Sequence, residues 1–190
     1  MRVVGGTARG RRLVAPAGTG TRPTSDRVRE AIMNALWSRD LLEGVQVLDL
    51  FAGSGALGIE ALSRGASHAV FVDADPRARR AVAQNLAACG FSDQAEVVGD
   101  QAERFVAGWR ERHGSVDAQT QFGLAFCDPP YAYDRWDALL CHLPATVVVI
   151  ESGEPVDLPD GWGMVRSSDY GTTWVGFAER TAGAEVHHGG

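Results

Sequence analysis

The chain has 190 residues, 45% of them apolar and 22% charged, with a net charge of −6. That is enough for one domain with a substantial core, and no apolar run approaches the roughly 18 residues a bilayer-spanning helix needs, so a membrane-embedded chain is excluded. The opening Met-Arg-Val-Val-Gly-Gly has no apolar leader, and Cys89, Cys127 and Cys141 sit in apolar segments without zinc-site spacing; these features predict free thiols in a reducing, cytoplasmic compartment and no metal site.

Charge is unevenly spread. Residues 1–29 hold Arg2, Arg9, Arg11, Arg12, Arg22, Arg27 and Arg29 against one acid, Asp26, a local charge of +6 that leaves −12 for the rest. A clustered basic patch is the electrostatic footprint of a nucleic-acid surface. Arg2-Val-Val-Gly5-Gly6 and Arg12-Leu-Val-Ala15 read as two β-like runs joined by residues 7–11, a small basic hairpin. A Pro/Gly/Thr link over 16–23 follows. A helix is predicted over 24–37, with Thr24 or Ser25 as N-cap and Asp26 in its first turn. Val28, Ile32, Ala35 and Leu36 form its apolar face. Arg22, Arg27 and Arg29 gather at its start, which makes it a bridge between the hairpin and the site predicted below.

Val45-Gln-Val-Leu-Asp-Leu50 is short, apolar and β-branched-rich, a buried strand. It runs into the turn Gly53-Ser-Gly55-Ala-Leu-Gly58, which opens a helix over 56–63 that stops at Gly65. A second strand, His68-Ala-Val-Phe-Val72, ends at Asp73. Strand, glycine loop, helix, strand and acid make one nucleotide-binding βαβ unit. The glycines let a ligand approach the main chain. Asp73 follows Gly53 by 20 residues, the spacing of a carboxylate that binds a ribose hydroxyl pair. Asp49 is costly to bury unless hydrogen-bonded. A cationic, amine-bearing ligand such as S-adenosylmethionine gives it a reason to be there, and a pyrophosphate does not. Asp49, Phe51, Gly53, Ser54, Gly55, Asp73 and Ala74 are therefore candidate cofactor residues.

Pro76 fits the first position of a helix over 77–89 that Gly90 ends. Ala95-Glu-Val-Val98 is a third strand, followed by a helix over 101–113 and a polar loop over 114–120. Asp100 is also a candidate N-cap for that helix. Phe122-Gly-Leu-Ala-Phe-Cys127 is a fourth strand, ending at Asp128-Pro129-Pro130-Tyr131. Two prolines cannot continue a central strand, so the chain leaves the sheet there. Open α/β sheets bind ligands at the C-terminal ends of their strands, where Asp49, Asp73, Asp100 and Asp128 all stand. A helix over 135–142, a fifth strand over 145–151 and a closing hairpin over 163–178 complete the fold, before a tail over 181–190.

Asp-Pro-Pro-Tyr marks enzymes that methylate planar nitrogens. An exocyclic amine on a base is a weak nucleophile, because its lone pair is delocalised into the ring. Asp128 and the carbonyl of Pro129 can accept its two N–H bonds. Pro129 and Pro130 fix the backbone that presents them, and Tyr131 offers a face for an extruded base. Cys127 alternates away from Asp128 along the strand and reads as a core thiol, not a nucleophile.

With these motifs in hand, the chain to about Arg180 resembles the RsmD-type 16S rRNA guanine-N2 methyltransferases. The resemblance rests on Arg-Val-Val-Gly-Gly-x-x-Arg-Gly-Arg-Arg-Leu, on Arg22-Pro-Thr-Ser-Asp-Arg-Val-Arg-Glu30, on Asp49–Gly65 and on Asp128–Tyr131. It implies a class I methyltransferase fold, Rossmann-like, with a mostly parallel seven-stranded sheet, helices on both faces and a small N-terminal hairpin. It also implies S-adenosylmethionine as donor and a guanine amine of 16S rRNA as acceptor, within the small ribosomal subunit or its precursor. By the same resemblance Asp100, Gln101 and Ala102 lie beside the adenine. The expected organisation is a basic arm over 1–20 that contacts RNA through Arg2, Arg9, Arg11 and Arg12 with Arg22, Arg27 and Arg29, a methyltransferase domain over 21–180 and a flexible tail, in a monomer. The alternative is an amine methyltransferase of DNA or another RNA with the same Asp-Pro-Pro-Tyr site.

Overall fold

Strand and helix alternate from Gln46 to Ser152, and two further strands complete the sheet. The computed structural model describes residues 1–17, 26–113, 122–130 and 132–181, without the side chains of Arg110 and His113. Arg22, Thr24, Ser25, Tyr131, the 114–120 loop and residues 182–190 lie outside these.

β1 (Gln46–Leu50), β2 (His68–Val72), β3 (Ala95–Val98), β4 (Phe122–Cys127) and β5 (Ala145–Ser152) are parallel. β7 (Thr173–Arg180) lies antiparallel against β5, and β6 (Trp162–Tyr170) pairs with β7 at the edge. The sheet order is β3-β2-β1-β4-β5-β7-β6. This is the mostly parallel seven-stranded sheet predicted from the sequence. The order reverses between β1 and β4, so a crevice opens there at the C-terminal edge.

Both faces of the sheet are covered, which is why the central strands are nearly all apolar. Side chains alternate between faces. Val47, Phe71 and Phe126 join one core with α1 (Asp26–Trp37), α2 (Ala56–Ser63) and α3 (Pro76–Cys89). Leu48, Val70 and Ala125 join the other, with α4 (Ala102–His113) and α5 (Trp136–Leu140). Asp75 caps α3 by accepting from Arg77 N–H, Pro76 occupies its first turn, and Gly90 ends it with φ 80°. Cys127 packs fully buried in the second core, and burial pushes its thiol pKa upward.

The N-terminal segment differs from expectation. It forms a hairpin with a single antiparallel bridge, Arg2 to Arg12. It is not a detachable arm. Val3, Ala8 and Leu13 are buried and belong to the first core. Thr7 N–H donates to the Ser63 carbonyl at 2.7 Å, and Val4 and Gly5 N–H both donate to the Glu60 carboxylate. Gly6, with φ +73°, lies so close to α2 that a Cβ there would sit 1.7 Å from the Ser63 carbonyl oxygen. Removing the first 20 residues would therefore strip core side chains and α2 partners from the domain expected over 21–180. The cause is the apolar residues interleaved with the arginines, which alternate inward.

Candidate active site

β1 and β4 lie side by side with Leu50 opposite Cys127. Phe51 and Asp128, the next residues, thus leave the sheet together at the crevice. Phe51 has φ 59°, a left-handed conformation rare for an aromatic residue and of the kind that gathers at functional sites. The chain then turns through Gly53 and Gly55, with φ +56° and +74°, into α2. Gly58 is needed for a different reason: a Cβ there would lie 2.4 Å from the Phe71 ring, so only glycine lets α2 approach β2.

Three carboxylates converge on this edge. Asp49 is 2% exposed, and its Oδ2 accepts from Gly58 N–H at 2.9 Å. Burial pushes its pKa up to about 8; the Gly58 hydrogen bond opposes this, and the charges of Asp128 and Asp73 add to it. Asp73 is half-buried and holds the loop: Oδ2 accepts from Gly53 N–H at 2.9 Å and Oδ1 from Asp75 N–H at 2.8 Å. Each oxygen keeps a further lone pair for a ligand hydroxyl. Asp128 is half-buried, and Pro129 behind it is buried.

The remaining candidates fare unequally. Ala74 is exposed, its carbonyl held by Arg79. Asp100 does not cap α4: its Oδ1 accepts from the adjacent Gln101 N–H and pairs with Arg104. Gln101 is exposed, whereas the Ala102 methyl is packed into the second core, leaving only its main chain for a ligand. Arg2, Arg9, Arg11, Arg12 and Arg27 are exposed. Arg29, expected among the RNA contacts, is not a surface residue: it is 0% exposed, with Nε 3.3 Å from Glu60 Oε1 and Nη2 bonded to Asp26 and to the Arg2 carbonyl. A helix position facing the core took precedence over the charge run in which it sits.

Tyr133 is a site residue missing from the sequence prediction. Its ring meets Phe51 edge-on at 5.1 Å and Trp136 at 4.9 Å. Its hydroxyl donates to Glu103 on α4 at 2.8 Å, and Arg135 pairs with the same carboxylate at 2.9 Å. Burial, and then Glu103, push its pKa upward, which keeps the hydroxyl a donor. Its N–H also bonds the Pro130 carbonyl at 2.9 Å, so it clamps the loop after β4. An aromatic residue two places beyond Tyr131 was the available signal.

A family described as "Conserved hypothetical protein 95" matches residues 1–179, nearly the whole length. The chain belongs to this family, the RsmD-type methyltransferases. The Escherichia coli K12 relative, named ribosomal RNA small subunit methyltransferase D, is 40% identical over 199 residues, covering 97% of this chain and 92% of that one. The Haemophilus influenzae protein of the same name is 31% identical over 182 residues, covering 90% and 89%. A solved structure of a Thermus thermophilus protein superposes with a TM-score of 0.78 at 32% identity, covering 94% and 99%.

Membership brings methyl transfer with it, a reaction for which the sequence predicts S-adenosylmethionine as the donor. The residues of this methyltransferase fit that molecule. A glycine loop with positive φ leaves room against the main chain. The charges of Asp73 and Asp128, which both act on Asp49, favour a ligand that carries positive charge over one that carries a pyrophosphate.

Two expected results follow from the carboxylates. Asp73→Ala should weaken donor binding by about 1.5–3 kcal/mol, the range for a lost hydrogen bond to a charged group, with RNA affinity little changed. Calorimetry showing unaltered donor affinity would reject the ribose role. Asp49→Asn should flatten the pH dependence of stability. The folded carboxyl titrates near 8 against an ordinary 3.8, so folding favours the protonated form. That stabilisation is complete below the unfolded value and is lost as pH rises toward the folded one. Between pH 5 and 8 the variant should therefore gain on the unliganded wild-type protein in denaturant titrations. Parallel curves would show that Asp49 does not titrate in this window.

Proposed function

We propose that this methyltransferase transfers a methyl group from S-adenosylmethionine to the exocyclic N2 amine of a guanine in small-subunit rRNA. The observation that carries the reading is a juxtaposition. Asp128-Pro-Pro and the Gly53–Gly58 loop share the β1/β4 crevice, and the hairpin that bears the exposed arginines is docked on α2, the helix this loop opens. The relatives named above are small-subunit rRNA methyltransferases, which selects the nucleic acid.

When bound, the cofactor supplies an electrophilic methyl group. In this reading Asp128 and the Pro129 carbonyl accept the two amine N–H bonds, which turns the nitrogen lone pair toward that group. The bond formed at nitrogen would replace the methyl–sulfur bond, with S-adenosylhomocysteine as the leaving group, and Asp128 would take the proton the amine gives up, so no metal or covalent nucleophile enters the scheme. Phe51, Tyr133 and Tyr131 offer aromatic surface to the base. Asp73 takes the donor ribose, with the main chain of Gly53, Ser54 and Gly55 beneath it. Asp100, Gln101 and the Ala102 main chain flank the adenine. Arg2, Arg9, Arg11, Arg12, Arg22 and Arg27 contact phosphates. An open recess lined by Met1, Arg2, Arg12, Leu13, Val14 and Asp26 lies on this basic side.

Mapping the product of tritiated donor on total rRNA tests the reaction. Label at N2 of a small-subunit guanine supports the reading, and label on a ring carbon or on DNA alone rejects it. The RNA surface is tested without truncation, because truncation would also remove Val3, Ala8 and Leu13 from the first core. Replacing Arg9, Arg11 and Arg12 together by alanine should weaken RNA binding. The log–log salt slope should drop by roughly 0.7–0.9 for each phosphate that is no longer neutralised. Equal slopes would put the RNA surface elsewhere.

A further inference from the structure

Asn85 of α3 is 1% exposed and serves neither core packing nor the chemistry above. Its amide nitrogen donates to the carbonyls of Val14 at 2.9 Å and Ser54 at 2.8 Å, and its oxygen accepts from Val14 N–H at 2.8 Å. Both amide hydrogens and one acceptor position are thus used. The orientation is fixed, because a flipped amide would set its oxygen against two carbonyls. Val14 closes the basic hairpin. Ser54 is the middle of the glycine loop, between the two residues of positive φ. One planar amide therefore joins the segment that faces RNA to the segment that faces the donor.

Two further contacts follow the same line. Met1 Sδ lies 3.5 Å from Ser54 Oγ, so the other end of the hairpin also meets this residue. Glu60 and Ser63 tie the hairpin to α2, whose first residue follows Gly55 directly. A displacement of the hairpin cannot leave the Ser54 peptide unmoved, since Asn85 holds both and glycine lies on either side.

We infer that Asn85 is a positioning residue that couples RNA binding to donor binding. RNA held by the docked hairpin further restrains the Ser54 peptide through this amide, so the donor loses less conformational freedom when it binds. Linkage makes the effect reciprocal: bound donor raises RNA affinity by the same factor. The coupling rests on the rRNA reading given above.

The test is a thermodynamic cycle on the full chain with S-adenosylhomocysteine as the unreactive donor and small-subunit rRNA, as transcript or as purified subunits. In the wild-type protein, saturating RNA should tighten donor binding by at least about fivefold, the lower end of typical coupling, and donor should tighten RNA binding equally. Asn85→Ala should reduce the factor to below about twofold while each ligand alone still binds. Asn85→Asp, which sets a carboxylate oxygen against both carbonyls, should do the same. A factor that persists in both variants overturns the role of Asn85. Should both variants unfold, amide exchange in the wild-type protein decides: RNA without donor should slow exchange across residues 52–58, and unchanged rates overturn the inference. RNA that binds without altering donor affinity sinks the coupling and leaves the proposed function standing. RNA that binds in neither form sinks both.

Discussion

Asp128→Ala is expected to lower methyl transfer by about 30- to 1000-fold, the equivalent of about 2–4 kcal/mol of transition-state stabilisation, with donor affinity nearly unchanged. Asp128 stands beside Phe51 at the crevice, and only at this edge do the Pro-Pro turn and the glycine loop meet. The hydrogen bond it offers strengthens as the amine nitrogen gains positive charge, so its loss falls on the chemical step. Single-turnover rates at saturating donor, with calorimetry of S-adenosylhomocysteine beside them, separate chemistry from binding. A wild-type rate in the variant would remove Asp128 from the mechanism. A large loss of donor affinity with an unchanged chemical step would move it to the cofactor.

The largest effect on stability is expected at Glu60. It is fully buried and serves four groups: Arg29, Arg64, and the N–H groups of Val4 and Gly5. Glu60→Ala leaves the buried Arg29 guanidinium without its buried counter-charge and strands two main-chain donors. Removing one partner of a buried pair destabilises by about 3–5 kcal/mol, a large share of the roughly 5–15 kcal/mol that holds a domain folded. Combining it with Arg29→Met should cost less than the sum of the two single changes, because the fully buried Arg29 charge is then gone together with its counter-charge. Denaturant titrations of the three variants give the coupling directly; strict additivity would mean that the pair contributes nothing as a pair.

Much of the catalytic edge was legible because its residues carry local signatures. Glycines that need positive φ, an acid at a strand end and two prolines after a strand each report their own backbone. The mostly parallel seven-stranded sheet was implied by the resemblance, and alternating strands and helices suit parallel pairing. What was not legible depends on contacts made at a distance. Arg29 looked like one more member of a basic run, because nothing beside it in the chain announces Glu60. The signal lay in α2: all eight of its residues are buried, and a helix apolar all round that contains a glutamate requires a cationic partner. Asn85 was equally silent, since an asparagine inside a helix reads as a neutral surface choice. Asp49 was placed correctly at the crevice, but its Gly58 bond shows that it secures the loop, which the strand pattern could not express.

The hairpin's dependence on downstream partners also orders events during synthesis. Val4 reaches Glu60 across 56 residues, Ala8 reaches Ser63 across 55, and Val14 reaches Asn85 across 71. These hairpin residues, made before their partners, can therefore take their places only after α2 and α3 have been made. Until then Val3, Ala8 and Leu13 have no core to enter, and the arginines among them keep a nascent apolar stretch in solution. In the function proposed above this charge meets nucleic acid in the finished molecule; earlier it acts as a solubilising escort for a segment that waits for partners made later.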